Sequence, residues 1–286
     1  MIVLGESGVL RPRRWRWAAT LGWMLALFGG MSFLLFPGWL HPAPAYRAYV
    51  SVGSVIVAYA VYALAVRYGE RRVAVEIAPY PLLPELLAGF AIGAGMFALV
   101  FTSLRLAGDY TLAPGSWSDW PSDIVGALRT GFAEELLLRL VVFRLLMRAS
   151  GLWPALAISA LLFGLLHLAN PHATLVAALA IAVEAGLMLA AFYLVTGRIW
   201  MAVGVHAAWN FVQGPVFGAR VSGGSDMGSL FVSGPVPGSP DWLSGGAFGP
   251  EASLPAVVVG LAIFLIVLRA ALRRDRARPS SAGELP

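Results

Sequence analysis

Eight stretches of this chain are apolar for about the 20 residues that a helix needs to cross a bilayer core. They span 17–39, 48–66, 83–104, 122–147, 152–169, 173–196, 199–215 and 252–272. Inside lipid a backbone N–H or C=O finds no water, so each run is expected to satisfy its own polar groups as a helix. The fifth and seventh runs are short and each contains a histidine. Composition agrees: 59% of the residues are hydrophobic and 12% are charged, about half the charged share of a soluble domain. The expected fold class is all-α, a polytopic membrane protein with about eight transmembrane helices.

Every basic residue is an arginine, and the arginines fall unevenly about this map. Arg11, Arg13, Arg14 and Arg16 precede the first run, and Arg67, Arg71 and Arg72 follow the second. Arg144 and Arg148 end the fourth, Arg198 separates the sixth and seventh, and Arg269, Arg273, Arg274, Arg276 and Arg278 form the last flank. The opposite side has only Arg47, Arg105 and Arg220. The positive-inside rule makes the crowded side, which holds both termini, cytoplasmic. Topology thus accounts for the isoelectric point near 10.0, and no nucleic-acid partner is expected.

The chain has no cysteine, which excludes a disulfide framework and thiolate chemistry. The first run has a basic start, and Ala43-Pro44-Ala45 looks like a signal cleavage site. Its apolar stretch exceeds the roughly 7–15 residues of a signal core, so it is read as a retained anchor. Residues 214–251 are rich in Gly, Ser and Pro, including "SGGSDMGS" and "SGGAFGPE", and read as an irregular external loop. No internal repeat marks a transporter built from inverted halves. Three regions follow: an N-terminal three-helix region at 1–121, a core at 122–215, and the external loop, last helix and basic tail at 216–286.

Ionisable groups at membrane depth cost at least about 2.5–3.5 kcal/mol each, and they face a protein interior or a wet cavity. Here they are Arg129, Glu134, Glu135, Arg139, His167, Glu184 and His206, with Asn210 as a neutral companion. In "FAEELLLRL", Glu135 and Arg139 are i,i+4 and can pair on one helix face. Glu134 points about 100° away and is left to meet something else. Phe163 and His167 are also i,i+4, as are His206 and Asn210. Taken singly, each set reads equally as structural: a neutralised cluster, a hydrogen-bonding histidine, an interhelical polar pair. Glu184 stands alone and reads as a buried helix contact or a protonated acid. His41 and His172 read as solvated loop residues.

Together they offer one spare carboxylate, two imidazoles and an amide, the inventory of a hydrolytic site. A glutamate acts as general base toward water, a histidine holds that water, and a second histidine with an asparagine stabilises an oxyanion. Two histidines and a glutamate are equally a catalytic zinc set, so Glu134, His167 and His206 remain open as metal ligands.

At these residues the chain resembles the CAAX-protease and bacteriocin-processing (CPBP, or ABI) family of intramembrane endopeptidases. Glu134-Glu135-x-x-x-Arg139 resembles its EExxxR motif, Phe163-x-x-x-His167 its FxxxH, and His206-x-x-x-Asn210 its HxxxN. The stretch "GLMLAAFYLVTGRIWMAVGVH" is also similar, and the resemblance covers about residues 122–215. Many members carry an aromatic before the arginine and a glycine after it, where this chain has Leu138 and Leu140.

The resemblance implies Glu134 as essential base, Glu135 as its neighbour, and Arg139 as a brace. It implies His167 as water holder, with His206 and Asn210 as oxyanion donors, and it leaves Glu184 without a role. It implies a membrane-associated protein or peptide substrate cut in a bacterial plasma membrane. The family is often labelled metalloprotease, but the same residues serve a metal-free glutamate mechanism. Two readings of other classes use the same residues: an ion- or proton-coupled transporter, and a non-catalytic scaffold or bacteriocin-immunity protein.

Overall fold

The computed structural model describes residues 2–12, 14–40, 42–43, 46–117, 119–224 and 228–276. His41, Pro44 and Ala45, and with them most of the cleavage-like tripeptide, lie outside the described residues. The chain is mostly helical. In order come α1 (Arg16–Leu35), α2 (Arg47–Tyr68), α3 (Leu82–Ala107), strand β1 (Tyr110–Pro114) and α4 (Trp120–Glu135). A π-helical stretch, Leu136–Phe143, joins α4 to α5 (Arg144–Ser150), making one continuous rod. α6 (Leu152–Leu166) follows, then α7 (Leu175–Ile181), a second π stretch at Ala182–Leu187, and α8 (Met188–Thr196). α9 (Trp200–Phe211) ends in a third π stretch, Val212–Val216. Strand β2 (Phe231–Pro235), the short α10 (Asp241–Ser244) and α11 (Leu254–Arg276) complete the order.

Six helical segments are long and apolar enough to cross a membrane: Arg16–Leu35, Arg47–Tyr68, Leu82–Ala107, Leu152–Ala169, Leu175–Thr196 and Leu254–Arg276. Their outer faces expose large apolar side chains such as Leu25, Ile56, Leu99, Leu161, Leu265 and Ile266. That is the pattern of a surface solvated by lipid. The remaining two expected spans, 122–147 and 199–215, are different objects. The first is too rich in charge, carrying Asp123, Arg129, Glu134, Glu135, Arg139 and Arg144. The second is a 12-residue helix with a five-residue π extension. The first is buried from Glu135 to Leu146 but largely open from Trp120 to Thr130, and α9 is buried on nearly every face from Trp200 to Trp209.

Small residues let α9 sit there. A Cβ on Gly93 of α3 would come 2.3 Å from the Val205 carbonyl oxygen, and one on Gly89 equally close to that of Met201. Glycines spaced in this way let two backbones meet, which is how helices associate when lipid removes the hydrophobic drive.

The arginine-rich end holds a buried ion network that the flank reading does not anticipate. Glu70 and Arg144 are both fully buried, with Arg144 Nη2 2.6 Å from Glu70 Oε1. Arg72 bridges Glu70 Oε2 and Glu76 Oε1, each at 2.7 Å, and Tyr62 donates to Glu76. Arg72 and Arg144, counted with the flanking charges, are therefore committed inside the protein. Burial alone would raise the Glu70 and Glu76 carboxyls, but the arginine charges and hydrogen bonds hold both below the usual range.

A small sheet departs from the all-α expectation. β1 and β2 pair antiparallel, with Tyr110 opposite Pro235 and Pro114 opposite Phe231. The described parts of 214–251 are also more structured than their composition implies. Ser244, Phe248, Gly249 and Glu251 are buried. Gly249 has φ +133°, and a Cβ there would lie 2.3 Å from the Arg220 carbonyl oxygen, so only glycine fits.

Candidate active site

Glu134 and Glu135 end α4 where the backbone passes into the first π stretch, and they diverge. Glu135 is fully buried. Its Oε1 lies 3.1 Å from Arg139 Nη1 and 2.9 Å from His206 Nδ1. The arginine contact lacks hydrogen-bond geometry, and Arg139 spends Nη2 on the Ala185 carbonyl at 3.0 Å and the Gly186 carbonyl at 3.4 Å. Both carbonyls belong to the second π stretch, where a widened turn frees main-chain acceptors. The guanidinium also stacks 4.5 Å from the centroid of Phe163. Arg139 thus ties three helical segments together rather than closing a single ion pair.

Phe163 touches both cavity histidines. Its ring centroid lies 4.9 Å from that of His167 and 6.2 Å from that of His206. His167 Nδ1 is 2.8 Å from the Phe163 carbonyl oxygen. A carbonyl only accepts, so that nitrogen carries the proton and the neutral ring presents Nε2 as an acceptor. His206 Nε2 lies 3.8 Å from Glu134 Oε2, too long for a direct hydrogen bond.

A cavity of about 530 Å³ collects these groups. Glu134, His167, His206 and Asn210 all line it, and Phe163 forms part of its wall. Asp119, Ser122 and Asp123 line it from the start of α4, and Ser222 and Glu251 from the segment after α9. Arg129 lines the same wall and donates to the Leu35 carbonyl at 3.3 Å. Exposed His172 stays outside. Among the described residues no three His, Asp or Glu side chains come together as metal ligands. Glu134, His167 and His206 therefore share the cavity without converging as a ligand set.

Two acids lining the cavity have no role in the motifs, Glu184 and Glu251. Glu184 is buried in the second π stretch and lines the cavity. Glu251 is 2% exposed, and its Oε1 accepts from the amide and the hydroxyl of Ser222, the latter at 2.8 Å. Burial pushes the Glu251 carboxyl up to about 8; the Ser222 hydrogen bonds oppose this and the nearby Glu134 charge adds to it. At the edge of an apolar run Glu251 reads as a solvated flank. The only local signal is the neighbouring "GGAFGP", whose left-handed glycines fold the segment back over the cavity.

Residues 116–212 match the family model for the type II CAAX prenyl endopeptidase, Rce1-like. No curated protein and no solved structure matches the chain. The matched segment contains all three motifs and the helices that build the cavity. That segment, about a third of the chain, is thus similar to the CAAX endopeptidases, in agreement with the resemblance carried by the three motifs.

Proposed function

We propose that this protein is an intramembrane endopeptidase that cleaves a membrane-associated protein or peptide with a water activated by Glu134. The observation that carries this is the meeting of Glu134, His167, His206 and Asn210 in one cavity. Glu134 takes a proton from water, whose other hydrogen is accepted by His167 Nε2. The resulting hydroxide attacks the peptide carbonyl. Glu135 accepts the Nδ1 proton of His206, so a doubly protonated ring stays paired with a carboxylate while Nε2 donates to the oxyanion beside Asn210. The proton on Glu134 then passes to the departing amine.

In this reading the rod 120–150 and the helix 200–216 complete eight crossings, with both termini at the arginine-rich face of a bacterial plasma membrane. The cavity, capped by the segment that carries Ser222 and Glu251, then opens at the opposite face. The test is reconstitution in liposomes with a quenched peptide library, with and without a chelator. Cleavage that persists under chelation supports the proposal. Ion or solute flux without cleavage would instead favour a transporter.

A further inference from the structure

The cavity wall is acidic. Asp119, Asp123, Glu134, Glu184 and Glu251 line it, against Arg129 as the one arginine among the described lining residues. An excess of acids alone says little, but two of these carboxyls are also incompletely paired. Glu184 and Glu251 are each 2% exposed. In each, Oε2 is buried without a hydrogen-bond partner among the described residues. Buried carboxyl oxygens are costly to leave unmatched. The two residues are near enough for their charges to interact, with Arg139 within range of Glu184. No three acids or histidines converge as metal ligands among the described residues, so the missing partner is not supplied by an ion-binding cluster of the protein's own.

We infer that Glu184 and Glu251 form a subsite for a basic side chain of the substrate, a lysine or arginine near the scissile bond. This rests on the peptidase reading above and adds the substrate's charge to it. A cationic side chain favours the ionised form of both carboxyls and supplies the N–H groups that the two Oε2 atoms lack. Glu184 reaches the subsite from the second π stretch, and Glu251 from beyond the family-matched segment 116–212. Ser222 fixes Glu251 through Oε1, and Oε2 is the oxygen without a partner among the described residues. Selection for a cation therefore comes partly from the C-terminal cap, not from the motif helices alone.

The experiment walks one lysine, or its uncharged isostere norleucine, through the positions flanking the bond in a quenched peptide. Wild type is expected to favour lysine at one position by about tenfold in kcat/KM, with Glu251→Gln bringing that ratio toward one. Glu184→Gln is the second variant if the first fails to fold. Cleavage by wild type without preference for lysine at any position, or an unchanged ratio in both variants, overturns the subsite. A parallel binding arm uses Glu134→Gln protein with the same peptides in nanodiscs. If wild type cleaves no peptide, the peptidase reading fails and binding decides. Tighter lysine-peptide binding that Glu251→Gln abolishes supports the subsite, and equal binding of both peptides overturns it.

Discussion

His206 hydrogen-bonds Glu135 through Nδ1 at 2.9 Å. Glu135 is at once the buried neighbour of Arg139 and the support of a cavity histidine, so the two adjacent glutamates differ in kind. Glu134 faces the cavity with its side chain 29% exposed, whereas Glu135 is sealed. Glu135→Gln leaves Arg139 without its anion and changes the donor pattern at His206. Breaking a buried ion pair costs about 3–5 kcal/mol. Glu135→Gln is therefore expected to lower Tm markedly in detergent as well as activity, whereas Glu134→Gln lowers activity with little change in Tm.

Arg139→Lys is expected to behave as a severe change. An ammonium cannot stack on Phe163, reach two carbonyls of the second π stretch and remain beside Glu135 together. Thermal unfolding of the purified variant should show a loss comparable to that of Glu135→Gln. A wild-type Tm for Arg139→Lys would contradict the bracing role.

Gly93 and Gly95 lie on the same helix and give a matched pair. A Cβ on Gly93 meets the Val205 carbonyl oxygen, while one on Gly95 meets nothing within 4 Å. Gly93→Ala should destabilise by about 1–3 kcal/mol through overpacking and move His206 on α9, lowering activity. Gly95→Ala should be neutral or stabilising by about 0.5–1 kcal/mol. Equal Tm values for the two variants would contradict the close approach of α3 and α9.

Acid and base should destabilise the fold for different reasons. Glu70 and Glu76 are held below their ordinary range, so their contribution is present above the unfolded carboxyl value and is lost as pH falls through the folded one. Glu251 is pushed up to about 8, so the folded state retains a proton that the unfolded chain releases. Its contribution declines as pH rises from about 4.5 to about 8 and is constant above. In Tm measured against pH, Glu251→Gln should flatten the decline between about pH 5 and 8, and leave the acid limb in place.

Much of this architecture was legible because lipid imposes a length and an inventory. The six long apolar helical segments announce themselves as apolar runs, and the three motifs place Glu134, His167, His206 and Asn210 on three helices. The rest depends on contacts distant in sequence. Arg144 resembles a flank charge until Glu70, carried by the loop after α2, buries it. Glu251 resembles a helix-end charge until the turn at Ser222 returns across the cavity. The i,i+4 rule also assumes an unbroken α-helix. The π stretches beginning at Leu136 and Ala182 are what let Arg139 reach the carbonyls of Ala185 and Gly186, and no residue pattern announced them.

The central claim is that Glu134 activates the attacking water. It is tested most directly by single-turnover cleavage of one quenched peptide by purified wild type and Glu134→Gln, both with chelator and both shown to be folded by their Tm. The account predicts that wild type cleaves and that the variant is slower by about a thousandfold or more, at the upper part of the range for a general base. Cleavage by Glu134→Gln within about tenfold of wild type would contradict it.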